Sequence, residues 1–236
     1  MGANQTGVLP NIILLMVESW DGRVIGCLGD PALKNVTPNI DRLAREGVMF
    51  KNTYTSHPIC CPARANMWTG QYTYHIKSWN NHKGLEKGTP ILKDILEQKA
   101  GYISASKIGG IGKQDYLSGH HTNQNRITAW TGAANIHLPS YIQKPPCIDR
   151  WPTKKVHPAD WLFLSRAKKF LKKQVKTQRG TKDNSSPFFL YLSLITPHPR
   201  FHTSRRWMKQ VDYHAVSIPP KDPDVHPVIR FQQILS

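Results

Sequence analysis

Two runs of consecutive apolar residues constrain the fold of this 236-residue chain more than any other feature. Residues 11–17 (NIILLMV) and 187–196 (PFFLYLSLIT) are rich in branched and aromatic side chains. Uninterrupted runs of this kind predict strands that are buried on both faces, as in a parallel sheet covered by helices.

The residues between these runs carry helix signals. In TPNIDRLAREG, Thr37 is the predicted N-cap, Pro38 fits the first helical position and Gly47 ends the helix. Its apolar face is predicted to consist of Ile40, Leu43 and Ala44. Residues 48–50 then predict a short strand.

Further elements follow the same alternation. Residues 62–69 predict a helix that ends at Gly70, and residues 90–106 predict a helix, a glycine and a strand. Residues 107–158, which are rich in Gly, His, Asn and Pro, predict long loops, and residues 159–176 predict a basic amphipathic helix. The residues of this helix that we expect toward the core are Leu162, Phe163, Phe170 and Leu171. Alternating strands and helices predict an α/β fold with a doubly wound, largely parallel sheet.

Chemically active side chains are expected at one edge of this sheet, because open α/β sheets bind ligands beyond the carboxyl ends of their strands. Glu18 and Asp21 follow the first strand, and His198 follows the later one. Cys60 and Arg64 belong to a segment that opens a helix, where free N–H groups favour an anion. We expect these five side chains to converge.

The adjacent pair Cys60 and Cys61 has several interpretations. Adjacent cysteines chelate one zinc ion poorly, and the glycine-rich interval of a tyrosine-phosphatase loop is absent. A buried structural thiol is the commoner fate of a lone cysteine. However, a proline-opened helix start beside an arginine is expected to favour a thiolate at Cys60.

The stretch CCPARANMWTG, residues 60–70, resembles the sulfatase signature C-x-P-x-R, in which the first cysteine is oxidised to formylglycine. The segments PNIILLMVESWDGR, TPNIDRLAREGVMFKNTYT and TPHP follow the order of that family. The resemblance implies an alkaline-phosphatase-like sandwich with a mostly parallel central sheet flanked by helices. It also implies that residues 1–236 form the N-terminal catalytic domain, incomplete on its C-terminal side.

The resemblance assigns roles to individual residues. Cys60 would be the modified residue, whose hydrated aldehyde attacks sulfate through one hydroxyl and expels it through the other. Arg64 would stabilise the hydrate, and His198 would lie near the leaving oxygen as an acid. Lys113 would hold a sulfate oxygen, although Lys107 is a second candidate because the local interval is longer than in the family.

The implied cofactor is one calcium ion, with Glu18, Asp21 and the modified Cys60 among its ligands. The family pattern that the chain resembles has aspartate at the position of Glu18 in this chain. A second acidic and His/Asn ligand pair would lie beyond residue 236, and we therefore expect the chain to be the N-terminal portion of such a protein.

The motifs SWNNHKGL, KQDYLSGHH and FHTSRRW are similar to a branch of the family that acts on glycosaminoglycans. This similarity implies a sulfated uronate or aryl sulfate substrate, with His120 and His121 as substrate contacts. It also implies maturation by a formylglycine-generating enzyme and a lysosomal or secreted location, with Asn184 as a glycosylation site. No signal peptide and no apolar run long enough to span a membrane is visible in the sequence.

The charge of the chain leaves a second function open. Lys and Arg number 32 against 15 Asp and Glu, which gives a formal net charge of +17. This excess favours anionic partners, and the segment RAKKFLKKQVK concentrates it on the predicted basic helix. The alternative to a sulfatase is therefore a catalytically inactive fragment with a polyanion-binding surface. Nucleic-acid binding is disfavoured, since no aromatic-interleaved basic surface is present. The C-x-P-x-R motif argues against a related phosphoesterase.

Overall fold

The structure, a computed structural model, describes residues 9–81, 83–106, 110–116, 147–149, 154–180, 186–198 and 201–217. The chain divides into two compact units. Unit 1 combines residues 1–18, 54–133 and 158–196, and unit 2 combines residues 19–53, 134–157 and 197–236. The prediction of one catalytic domain over residues 1–236 stays a prediction.

The elements alternate along the chain much as the sequence predicts. The strands are β1 (Ile12–Met16), β2 (Ile103–Ser104), β3 (Ile111–Gly112), β4 (Cys147–Asp149), β5 (Phe188–Ser193) and β6 (His202–Ser204). The helices are α1 (Pro38–Glu46), α2 (Cys60–Thr69), α3 (Thr73–Ile76), α4 (Leu92–Ala100), α5 (Pro158–Gly180) and α6 (Arg205–Met208). None of the described helices is both long enough and apolar enough to cross a membrane.

The sheet of unit 1 is parallel throughout and centres on β5. Strand β1 pairs with β5 from Ile12–Phe189 to Met16–Ser193, and β2 and β3 pair with β5 along its opposite side. All six residues of β5 are buried, as predicted for this apolar run. The mostly parallel sheet flanked by helices is therefore confirmed.

Alternate side chains of β5 enter two different cores, because successive residues of a strand point to opposite faces. Phe189 and Tyr191 pack with Ala65 and Trp68 of α2. Phe188, Leu190 and Leu192 pack with Ala167 of α5 and with the neighbouring Phe163 and Phe170. Helices α2 and α5 thus lie on opposite faces of the sheet.

The ends of the helices explain why the predicted bounds were close. Gly70 and Gly101 end α2 and α4 with φ angles of 67° and 65°, a left-handed conformation that glycine adopts without strain. In α5, the buried Asp160 accepts hydrogen bonds from the backbone N–H groups of Ile195 and Thr196 at 2.8 and 3.0 Å. This contact joins the start of α5 to the end of β5.

Two burial predictions in unit 1 were wrong. Strand β1 is covered on one face only, since Ile13 and Leu15 are 55% and 61% exposed. Its alternate residues Ile12, Leu14 and Met16 pack on the core that contains α2, so Ile13 and Leu15 point to the opposite, less covered face. Leu162 of α5 is 50% exposed, whereas Phe163, Phe170 and Leu171 pack as predicted.

Unit 2 contains α1, α6, and a parallel pair of β4 and β6 that was not predicted. Helix α1 begins after Thr37 and ends before Gly47, as predicted. The Thr37 hydroxyl does not cap α1; it accepts from the Gly26 N–H at 2.9 Å and donates to Asp41 at 2.8 Å. The predicted apolar face is not buried, since Leu43 is 69% exposed.

The prediction of a strand at residues 48–50 was wrong. These residues adopt no regular structure, and Val48 and Phe50 are 80% and 79% exposed. Their β-prone side chains lack a neighbouring strand in the described part of unit 2, and β-propensity is realised only by packing on such a neighbour.

Candidate functional site

The candidate site of unit 1 is built around Cys60, the first residue of α2. Ile59 before it is extended, with φ −141°, so the chain enters the helix directly at the cysteine. The half-buried Cys60 thiol donates a hydrogen bond to Glu18 Oε1, with Sγ and oxygen 3.0 Å apart. On another side, the ammonium of Lys113 lies 3.6 Å from Sγ. Residue 60 therefore has an acceptor and a cationic donor beside its side chain.

Glu18 reaches this position because it follows β1 at its carboxyl end. Its backbone N–H donates to the carbonyl of Thr196 at 3.2 Å, which continues the sheet beyond the strand. The side chain is buried, and its two oxygens divide their partners: Oε1 faces Cys60 and Lys113, and Oε2 accepts from Arg64. Ion pairs on both sides offset the desolvation of this carboxylate.

Arg64 is fully buried beneath Glu18. Besides its ion pair with Glu18, its Nη1 donates to the Tyr191 hydroxyl at 2.7 Å, the Ser193 hydroxyl at 2.9 Å and the Lys113 carbonyl at 3.0 Å. These contacts aim the guanidinium at Glu18 and at β5. Arg64 therefore acts on Cys60 through Glu18 in this structure.

Lys113 is held between two carboxylates, with Glu18 Oε1 at 3.4 Å and Asp115 Oδ2 at 3.2 Å from its ammonium. Gly112 precedes it with φ +100°, and a Cβ at that position would lie 1.8 Å from the Ser193 carbonyl oxygen. Only glycine fits this close approach of β3 to β5. The approach places Lys113 next to Cys60.

The electrostatics correct the prediction of a thiolate at Cys60. Burial raises the pKa of Cys60, and the hydrogen bond and charge of Glu18 raise it further, against the opposing effect of Lys113. For Glu18, burial acts to raise the pKa, but hydrogen bonds from Cys60 and Arg64 and the charges of Arg64 and Lys113 lower it overall. The site thus pairs a neutral thiol with a carboxylate. The prediction failed because burial and the neighbouring Glu18 outweigh Lys113 at the sulfur, and because the Arg64 side chain faces Glu18.

Cys61, unlike Cys60, is enclosed by the protein interior. Its side chain is fully buried, its backbone N–H donates to Asn81 Oδ1 at 3.0 Å, and burial raises its pKa to about 11. The two adjacent cysteines therefore differ: Cys60 faces charged groups, and Cys61 faces the interior.

The remaining predicted site residues do not belong to the described part of unit 1. Asp21 and His198 belong to unit 2, where Asp21 binds Arg23 through side-chain hydrogen bonds as short as 2.6 Å. These bonds lower the pKa of Asp21 to about 2. The other predicted residues, Lys107, His120, His121 and Asn184, lie outside the described residues. All of these assignments stay predictions.

Three residues of the site were missed by sequence reasoning: Asp115, Tyr191 and Ser193. Tyr191 and Ser193 sit in a run whose apolar character predicts only a buried strand, although their spacing of two places both on one face. Asp115 lies two residues after Lys113 and has φ +35°, a conformation uncommon for a residue with a side chain. Ser193, a polar residue within an otherwise apolar strand, is the sequence signal that could have identified this part of the site.

The described residues of unit 1 do not by themselves fit a calcium ion. Calcium takes about six to eight oxygen ligands, most of them from carboxylates and carbonyls. Here Glu18 contacts Cys60 and stands between two cations, and the charges of Glu18 and Asp115 are balanced by those of Arg64 and Lys113. The predicted calcium site with Glu18, Asp21 and residue 60 stays a prediction, and no catalytic step is derived through it.

A family model described as Sulfatase matches residues 10–217. The chain belongs to the sulfatase family. This family generally uses a formylglycine and a divalent metal, and its members hydrolyse sulfate esters. Cys60, Pro62 and Arg64 stand at the C-x-P-x-R positions within the matched range, and the structure places the cysteine beside Glu18 and Lys113.

Curated relatives cover nearly the whole chain. It is 38% identical to arylsulfatase K of Canis lupus familiaris over 237 residues, which covers 93% of this chain and 42% of that protein. It is 35% identical to arylsulfatase K of Homo sapiens over 235 residues, which covers 93% of this chain and 41% of that protein. The chain thus spans about two fifths of the length of these relatives.

Solved structures share the fold. The phosphonate monoester hydrolase of Agrobacterium radiobacter matches with a TM-score of 0.53 and 19% identity, over 86% of this chain and 44% of that one. The yidJ protein of Bacteroides fragilis matches with a TM-score of 0.51 and 23% identity, over 84% and 46%. These similarities confirm the alkaline-phosphatase-like architecture of the predicted fold class.

Proposed function

We propose that this chain carries the nucleophile half of a sulfatase site, in which Cys60 is oxidised to formylglycine and hydrolyses sulfate esters of glycosaminoglycan uronates or aryl alcohols. The observation that carries the proposal is the surroundings of residue 60. Its side-chain atom has a carboxylate acceptor at 3.0 Å and a lysine ammonium at 3.6 Å, at the first turn of a helix.

Hydrated formylglycine supplies a hydroxyl that attacks sulfur and a second hydroxyl that later expels the sulfate. Glu18, already the acceptor of the Cys60 proton, is placed to accept a proton from an oxygen at this position. Arg64 keeps Glu18 ionised and fixes its orientation.

Lys113 is the sulfate-binding cation in this proposal. Its ammonium is fixed between Glu18 and Asp115, so it meets an incoming sulfate as a preoriented positive charge. The first backbone N–H groups of α2 add partial positive charge on the same side. His198 completes the proposal as the acid near the leaving oxygen.

The curated relatives named arylsulfatase K support the assignment to arylsulfatase chemistry. We extend the proposal to a lysosomal or secreted protein that is matured by a formylglycine-generating enzyme and acts on a sulfated glycosaminoglycan. The preference for a 2-sulfated glucuronate is the most specific part of the proposal. It rests on the motifs KQDYLSGHH and FHTSRRW.

The test is to produce the chain with and without a formylglycine-generating enzyme, and to read the peptide containing residue 60 by mass spectrometry. We expect an aldehyde at residue 60 with the enzyme, and hydrolysis of an aryl sulfate that follows the aldehyde content. Cys60→Ala is expected to abolish both readouts. The matched control Cys61→Ala is expected to keep the aldehyde. Hydrolysis by Cys60→Ala, or an unmodified Cys60 in the presence of the enzyme, contradicts the proposal.

A further inference from the structure

Helix α5 carries a stripe of basic residues that the proposed site does not use. Its members are Arg166, Lys169, Lys172, Lys173 and Lys176, all exposed. At 3.6 residues per turn they occupy about a third of the helix circumference, over a length of about 15 Å. We call these five residues the α5 stripe.

No acidic side chain neutralises the α5 stripe within the described part of the chain. None of its five residues forms an ion pair there, and Asp160 at the start of α5 is buried against the end of β5. Unpaired like charges along one face repel one another, by a few tenths of a kcal/mol per close pair on a helix. An anionic partner with several charges in a row relieves that repulsion.

The opposite side of α5 fixes the stripe in place. Ala167 is fully buried, and Phe163 and Phe170 pack against the apolar residues of β5. Phe170 meets Phe188 edge to face, with ring centroids 5.7 Å apart. Most of its apolar face is already buried in the protein, and Leu162 and Val175 are its only exposed large apolar side chains among the described residues, which is too little apolar surface to insert into a lipid layer. The stripe is therefore a preformed linear array of positive charge.

The chemistry of the exposed side favours a sulfated polysaccharide over a nucleic acid. None of the exposed described residues of α5 is aromatic, so the helix offers no platform for stacking bases. We propose that the α5 stripe binds a stretch of a sulfated polysaccharide chain on the face of the sheet opposite Cys60. This inference rests on the proposed function for its choice of polyanion.

Binding at a second place on the sheet has a kinetic consequence. A polymer held by the α5 stripe raises the local concentration of its sulfate esters, whereas a small aryl sulfate cannot contact both places. The stripe should therefore lower KM for polymeric substrate and leave aryl sulfate hydrolysis unchanged.

The test compares two triple variants of the full chain that remove equal charge from unit 1. Lys169→Gln, Lys173→Gln and Lys176→Gln change three of the five stripe residues, and Lys77→Gln, Lys87→Gln and Lys99→Gln change exposed lysines elsewhere in that unit. We measure affinity for heparin, for an unsulfated carboxylated polysaccharide and for single-stranded DNA, each at two salt concentrations. We expect the stripe variant to bind heparin roughly tenfold or more weakly, with a smaller salt dependence. The control variant should bind heparin as the parent chain does.

Equal losses in both triple variants would show a general charge effect and overturn the proposal. Tighter binding of DNA than of heparin through the stripe would overturn the choice of partner. Aldehyde content at residue 60 and aryl sulfate hydrolysis are measured on the same samples, and we expect both to be unchanged in the stripe variant. If the parent chain shows neither the aldehyde nor aryl sulfate hydrolysis, the proposed function is contradicted. If the stripe variant keeps its heparin affinity, polysaccharide binding by the α5 stripe is contradicted.

Discussion

The two faces of β5 show how differently one strand can be used. On the α2 face, Tyr191 and Ser193 hold a buried arginine, which in turn holds Glu18 beside Cys60. On the α5 face, Phe188, Leu190 and Leu192 make apolar contacts, and the charges of α5 remain in water. The stability of the α2 face depends on compensating buried charges away from water. The stability of the α5 face depends on the apolar area that is buried and on how well the side chains fit together.

This difference determines how each face tolerates change. A buried ion pair is costly when one partner is removed, because the other charge is left without compensation. A close-packed apolar face responds to changes in volume. Substitutions that remove a charge should therefore destabilise the protein most on the α2 face, and substitutions that change side-chain volume should destabilise it most on the α5 face.

The largest expected effect is that of Arg64→Met on the α2 face. The variant leaves Glu18 buried without its ion-pair partner, and it strips Tyr191 and Ser193 of their donor. We expect the free energy of unfolding to fall by about 3–5 kcal/mol, measured by urea denaturation. Arg166→Met, which removes an exposed guanidinium from α5, is the matched control and should change it by less than about 0.5 kcal/mol. Similar losses in the two variants would contradict the comparison.

The next effect is that of Ala167→Leu on the α5 face. Ala167 is 1% exposed and packs against Phe188 and Leu190, so a larger side chain forces those residues apart. We expect a loss of about 1–3 kcal/mol in the free energy of unfolding, again by urea denaturation. Ser165→Leu on the exposed side of the same helix should cost little. Since leucine has a higher helix propensity than serine, an equal loss in Ser165→Leu would mean that the loss at Ala167 does not come from packing against β5.

The reactivity of Cys60 gives a third prediction, on chain made without the oxidising enzyme. The Glu18 charge raises the pKa of Cys60, so Glu18→Gln should lower that pKa and increase the thiolate fraction at a given pH. A decrease of one pKa unit raises the thiolate fraction about tenfold at neutral pH, and because a less basic thiolate is less nucleophilic, alkylation by iodoacetamide should be roughly threefold faster. Lys113→Met should slow alkylation, because Lys113 acts to lower the same pKa. Rates are followed at residue 60 by mass spectrometry, with Cys27 as the reference thiol in each sample. A slower reaction in Glu18→Gln would mean that the thiol is not controlled by this carboxylate.

The sequence predicts those parts of the molecule whose pattern is local. Long apolar runs and glycine helix ends identify β1, β5, α2 and α4, and an amphipathic pattern identifies α5. The C-x-P-x-R positions identify Cys60 and Arg64. The two-residue strand β3 has no pattern of its own, because its position follows from the close approach of Gly112 to Ser193. Likewise, the roles of Tyr191 and Ser193 depend on which helix packs on their face of the sheet. The neutral Cys60 thiol depends on where the Arg64 side chain points, and composition does not encode that direction.

The smallest effects of a single substitution are expected at Tyr191 and Ser193, and combining the two substitutions tests the account of Arg64 most sharply. Arg64 Nη1 has two N–H bonds and three acceptors: the Tyr191 hydroxyl, the Ser193 hydroxyl and the Lys113 carbonyl. Either Tyr191→Phe or Ser193→Ala alone leaves two acceptors for the two N–H bonds, so each should cost less than about 1 kcal/mol. The double variant leaves one buried N–H without an acceptor, which costs about 1–3 kcal/mol. We therefore expect the double loss to exceed the sum of the single losses by about 1 kcal/mol, measured as a double-mutant cycle in urea. Additive losses would mean that the three acceptors do not share this one nitrogen, and that the α2 face owes its stability to packing as the α5 face does.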